Sequence, residues 1–177
     1  MATTLTCPIP SNISPLSPNG FMFSIQKLTS INYFCQQVNI PGITLGSPDY
    51  GNPFNTQPIP GDALTYDQLT VQFLVDSDMA NYQAVYNWIV ALGFPQNYEQ
   101  YVTFINNDDR VGLSELAKNY SDATLQILGA NNAAVKTIQF YDMFPVALES
   151  LVFSSTNVDV QYLVGSATFK YGYYKFL

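Results

Sequence analysis

Histidine is absent from this chain, and charge of either sign is scarce. Lys and Arg number six, Asp and Glu 13, and charged residues reach 11%, well below the usual share of about a quarter. Without imidazole a Ser or Cys nucleophile has no ordinary base beside it, so the sequence does not read as an enzyme. Six cations against a net charge of −7 cannot replace the counterions along a phosphate backbone, which excludes nucleic-acid binding. No apolar run is long enough to span a bilayer, and no basic amphipathic helix could lie on one. No membrane anchor is expected. Cysteine is rare as well: Cys7 and Cys35 lie far apart with no metal-ligand spacing near either. They read as reduced thiols of a cytosolic protein, Cys35 on a strand. Met1 to Pro8 lacks the charged and apolar regions of a secretory signal, so the sequons at Asn12 and Asn119 carry no meaning. No cofactor and no metal are expected.

What the chain has is apolar bulk, 47%, with 13 Tyr and 12 Phe in 177 residues. That fits one domain with a real core. Its exterior must then be Asn, Gln, Ser, Thr and Tyr, the chemistry of surfaces that pack against other subunits. An ordinary monomer with a neutral polar surface is the alternative. An acidic chain can also meet DNA without holding it, by lining a passage that repels phosphates.

Residues 1–18 carry four prolines and read as an extended arm; the rest, 19–177, reads as one β domain. Phe21 to Ile25 is a strand, and Ile31 to Val38 a second, joined to it by a short hairpin at Thr29-Ser30. Residues 43–63, rich in Pro and Gly, form a long irregular excursion or a hairpin with edge-like arms, and loops of that length are usually functional. Leu69 to Val75 alternates cleanly. Asp76, Ser77 and Asp78 then cap an amphipathic helix, Met79 to Leu92, that buries Met79, Tyr82, Val85, Tyr86, Ile89 and Leu92 with Trp88 close by, and stops at Gly93 and Pro95. Residues 96–120 are an insertion with a short helix at 114–119. Ala123–Leu128 and Val135–Tyr141 flank a turn at Gly129 to Asn132. Phe144 to Leu148 interrupts, Leu151–Phe153 is a short strand, and Val160–Tyr173 is an unusually long one. The expected fold is mainly β: an antiparallel barrel or sandwich with one main helix and a long hairpin loop.

Candidate sites are few. Asp76 and Asp78 resemble a glycosidase carboxylate pair, but their place before a helix makes capping the simpler account. Asn106 to Asp109 with Glu115 has calcium-loop ingredients without the spacing, and reads as solvated loop polarity. Gly93, Gly112 and Gly129 make no phosphate-binding motif. Trp88, Tyr171, Tyr173 and Tyr174 admit a second class, a carbohydrate-binding or adhesion module stacking aromatic rings on sugars, although core packing explains Trp88 better.

Taken in order, several segments resemble the tail tube proteins of contractile-tailed, T4-like bacteriophages. They are Asn19-Gly-Phe-Met-Phe-Ser-Ile25, Phe34-Cys-Gln-Gln-Val-Asn-Ile-Pro-Gly-Ile43, Pro60-Gly-Asp-Ala-Leu-Thr-Tyr-Asp-Gln-Leu-Thr-Val-Gln-Phe73, Tyr86-Asn-Trp88 and Ile138-Gln-Phe-Tyr-Asp-Met-Phe-Pro145. The resemblance implies a virion protein whose six copies form a ring with a shared inner β-barrel, the rings stacking into a tube for genome ejection. It also implies assembly in the host cytoplasm, and sheath and baseplate or neck proteins as partners, with DNA passing unbound. Ile40, Pro41, Gly42 and Ile43, together with Ile59, Pro60, Gly61, Asp62 and Leu64, are the expected subunit contacts. The helix is the expected outer wall, and Asp67 and Asp159 are the expected lumen-facing residues. The Pro-rich arm and the insertion depart from a minimal tube subunit and fit a baseplate initiator or a neck terminator.

Overall fold

The computed structural model describes residues 15–108, 110, 112–129, 131–155 and 162–177. Most of the expected arm, Cys7, Asp109, Asp159 and Val160 lie outside them. Among the described residues eleven strands run in the order β1 (Phe21–Ile25), β2 (Cys35–Val38), β3 (Ile43–Leu45), β4 (Asp49–Asn52), β5 (Asn55–Pro58), β6 (Leu64–Tyr66), β7 (Leu69–Leu74), β8 (Ser121–Leu128), β9 (Ala134–Leu148), β10 (Val164–Lys170) and β11 (Tyr173–Phe176). Joining them in the described residues are the helices α1 (Thr29–Phe34), α2 (Ala80–Gly93) and α3 (Glu99–Asn106), with a 3-10 turn at Ala117–Asn119.

The main sheet follows β1-β8-β9-β10-β7-β2, β11 also pairing with β9. β1 and β2 end that path, so the sheet is not closed into a barrel. Its organiser is β9. The first part of this strand pairs with β8 and β11, and its last residues, Phe144 to Leu148, pair with β10. At the changeover Asp142 takes a φ of 54°, and the Gly172 amide donates to Tyr141 O at 2.9 Å. The kink in β9 thus meets the break between β10 and β11. One layer is β1-β8-β9-β11, the other β9-β10-β7-β2, all antiparallel.

Alternation along these strands aims one set of side chains between the layers. Phe23, Ile25, Leu125, Ile138 and Phe140 come from the first layer. Leu69, Val71, Phe73 and Phe169 come from the second, each 2% exposed or less. α2 lays Val85 and Trp88 over this core, α1 adds Ile31, and the Trp88 indole N–H donates to Asn119 O at 3.1 Å. Burying side chains of this size stabilises by about 1.5–3 kcal/mol each.

Several expectations are corrected. Residues 29–34 are helical, so β2 begins only at Cys35 and pairs with β7; β1 pairs with β8. Pro145 does not interrupt β9, because it stands opposite Phe169 where the register slips and no ladder N–H is needed. The long strand is therefore β9, with 15 residues, while the final stretch is split into β10 and β11. Leu151–Phe153 forms no strand. The α2 N-cap is Met79, in a left-handed conformation without a side-chain cap. Buried Asn81 does the polar work instead: it donates to Leu74 O and accepts from the Asp76 and Tyr82 amides. The buried face of α2 is Asn81, Val85, Trp88 and Ala91, and Tyr86 is exposed. Within 96–120, α3 replaces the expected helix at 114–119, which shrinks to the 3-10 turn.

Candidate assembly surface

The long excursion is one continuous hairpin grown from the core. β2 pairs with β7, β3 with β6, and β4 with β5. Between the ladders, Asp67 N donates to Gly42 O, Gly46 N to Ala63 O, Gly61 N to Gly46 O, and Ile59 N to Pro48 O. The arm therefore stays paired from Cys35–Phe73 out to Asn52–Asn55. Its side chains are largely uncovered: Ile40, Ile43, Leu45, Tyr50, Ile59 and Leu64 are all exposed, and Phe54 at the tip is 96% exposed. A hairpin that buries so little has no fold of its own to gain by being apolar.

The expected contact residues lie on this arm. Ile40, Gly42, Ile43, Ile59, Pro60, Asp62 and Leu64 are exposed, whereas Pro41 is buried and accepts at its carbonyl from the Tyr174 hydroxyl at 3.2 Å. Gly61 is pressed against the opposite strand; a Cβ there would stand 2.5 Å from Gly46 O. Asp67 is exposed at the root, its carboxylate lying over Gly42, and its carbonyl accepts from the Tyr171 hydroxyl at 2.9 Å. Burial pushes the Tyr171 phenol up to about 12, so it remains a donor. Tyr66, Phe140, Tyr171 and Tyr174 meet at 5.2–5.9 Å between centroids, edge to face except for the tilted Phe140–Tyr174 pair. This cluster fastens the arm to the body.

The second surface is the outer face of β1-β8-β9-β11. Ser24 stands opposite Thr124, Thr124 opposite Gln139, and Gln139 opposite Lys175. The strand neighbours of Ser24, Thr124 and Gln139 are core residues and Lys175 is itself exposed, so this row of hydroxyl, amide and ammonium groups faces outward. Asp122 and Asp142 sit at its end, the Asp142 amide donating to the Asp122 carboxylate at 3.3 Å. β1 and β11 are the two edges of the layer.

No group of three or more His, Cys, Asp and Glu that could hold a metal occurs among the described residues. Asp108 is not the solvated loop residue read from sequence. Its carboxylate, 4% exposed, pairs with Arg110 at 2.7 Å and Lys27 at 3.1 Å. Hydrogen bonds from Arg110 hold it well below the usual carboxylate range. The Lys27 ammonium also lies 3.7 Å from the Phe104 ring centroid, and burial pulls its pKa down to about 8. Lys118 donates to Ile105 O and Asp108 O. Half of the chain's six cations thus serve this segment: Arg110 and Lys118 bond within it, and Lys27 ties it to the body. Cys35 is on β2 as expected, and burial pushes its thiol up to about 11, which makes it a poor nucleophile. Trp88 is buried, and Tyr171 and Tyr174 are packed into the cluster, leaving Tyr173 the exposed member of the aromatic set proposed for sugar stacking. No described helix is long and apolar enough to cross a membrane.

Comparison with known proteins places this architecture. The profile of a family described as phage tail tube protein matches residues 6–177. The tail tube terminator protein of Enterobacteria phage T4 is 28% identical over 163 residues, covering 88% of this chain and 85% of the relative. The tube-terminating cap of the anti-feeding prophage superposes with a TM-score of 0.62 at 14% identity, over 99% of both chains. The extended sheath–tube complex of an extracellular contractile injection system, PVC, contains a similar chain. It has a TM-score of 0.55 and 17% identity, and the match covers 92% of this chain and 91% of that one.

Proposed function

This chain belongs to the phage tail tube protein family, and from that premise we propose that its copies close into hexameric rings in or at the end of a contractile tail tube. It is a tail-tube-related structural protein of contractile, phage-like systems. The observation that carries the finer reading is the four-stranded layer with open edges at β1 and β11. Open edges recruit other strands, and a head-to-tail contact that closes on itself uses both edges of every copy. In this reading β1 of one copy meets β11 of the next, and the row from Ser24 to Lys175 faces the bore with Asp122 and Asp142 nearby. Asp67 at the hairpin root is kept as a bore residue, and the hairpin from Ile40 to Leu64 as the contact between copies or rings. α2, on the far side of the core, is then the outer wall, turned toward a sheath. Baseplate or neck proteins are the other proposed partners, DNA passes without specific binding, and the virion tail is the location. No catalytic role is proposed.

A specific observation favours the end of the tube as strongly as its shaft: both the T4 relative and the anti-feeding prophage chain are tube terminators by name. Negative-stain microscopy of the purified chain, alone and mixed with preformed tubes, distinguishes the readings. Long tubes from the chain alone support a shaft subunit. Rings that bind only at tube ends support a terminator. Dispersed particles whose tyrosine fluorescence responds to oligosaccharide support the adhesion module instead and overturn assembly.

A further inference from the structure

We propose that Phe54 of one copy seats in an apolar groove between β1 and β2 of a second copy, joining successive subunits by a knob and a hole. The proposal rests on the assembly reading above and names the residues that meet.

Phe54 is 96% exposed at the end of a hairpin held together along its whole length. The groove lies where the open path of the sheet leaves β1 and β2 unpaired. It holds about 530 Å³, and its apolar wall is Leu16, Phe21, Val38, Ile40, Leu125 and Ile127. A single ring has ample room there.

Charge says what enters. Copies with a net charge of −7 repel one another, so they meet most easily where neither carries charge. No Asp, Glu, Lys or Arg occurs from Tyr50 to Gly61, and no residue lining the groove is charged. The two surfaces match in being apolar and neutral.

The knob cannot be its own chain's. Val38 and Ile40 line the groove at the root of the very hairpin whose tip bears Phe54. An extended strand advances about 3.3 Å per residue, so the tip points far away from that root. One knob and one hole on separate parts of the same chain make a heterologous contact, which propagates from copy to copy and ends in a closed ring or a stack.

The test uses the full chain with Cys7 and Cys35 changed to Ser. Phe54→Cys copies are mixed with Ile40→Cys copies under mild oxidation, and association of Phe54→Asp is followed by sedimentation and microscopy. Expected are a disulfide-linked dimer formed mainly in the mixture and association of Phe54→Asp weakened by roughly thirtyfold or more, as for losing a central aromatic anchor. Phe54→Leu should keep most of the association. Unchanged circular dichroism in Phe54→Asp verifies folding, which an exposed tip residue should not disturb. If the parent forms rings and Phe54→Asp forms them equally well without mixed disulfide, the knob is overturned and the assembly reading stands. If the parent never associates at any concentration, both are overturned.

Discussion

Asp108 is the residue on which the insertion depends. Its carboxylate answers Lys27 from the β1–α1 connection and Arg110 from the segment after α3. Removing a buried partner strands the others, and Asp108→Ala should cost about 3–5 kcal/mol in denaturant melts. The same group sets an acid limit. Its pKa lies below the ordinary value in the folded chain, so the unfolded chain takes up the proton first. Stability present above about pH 4 is therefore lost as pH falls, and Asp108→Asn should flatten that acid limb. Lys27 acts in the opposite sense. With its pKa lowered from 10.5 to about 8, the folded chain gives up the proton before the unfolded one. Stability should rise between those values, and Lys27→Met should abolish the rise while retaining the contact with Phe104. Trp88 is the matching test of the core: Trp88→Ala removes a side chain 1% exposed and should cost about 3–5 kcal/mol.

Among the elements, the hairpin carries the sharpest prediction. Gly61→Val should leave the thermal transition of the monomer largely in place, because the β3–β6 arm is outside the core. The added side chain collides with Gly46 O, so the arm misaligns and assembly stops. Normal-length tubes in that variant would contradict this. The strands that face both water and core were legible from sequence. β7 and β8 alternate residue by residue, and Gly129 to Asn132 announced the turn between β8 and β9. α1 was not legible, since Ile31, Tyr33 and Phe34 are strand-favouring residue types, although this stretch coils to bury Ile31. α3 was also missed, though Tyr101, Phe104 and Ile105 stand at helical spacing. The expected break at Pro145 failed for a different reason: a proline fits inside β9 because β9 carries an extra residue beside it, Val146, where the register with β10 shifts. The excursion at 43–63 could be read as a hairpin with edge-like arms, but Phe54 gave no signal until its ladder partners put it at the tip.

At the scale of the molecule, scarcity of charge is what separates contact surfaces from the rest. Three cations are consumed around Asp108, and the hairpin tip and the β1–β2 groove carry none. Association through neutral surfaces on mutually repelling copies should strengthen as salt screens the repulsion. Sedimentation at low and high ionic strength should show larger assemblies at high salt, the reverse of a salt-bridged interface. The shared strand has a mechanical corollary. Because β9 is covalently continuous through both layers, a pull applied to either one travels along a single backbone into the other. Its flanking hydrogen bonds are then loaded in shear, many together, and not unzipped singly. A subunit built this way should yield all at once under tension, and hold its shape until it does.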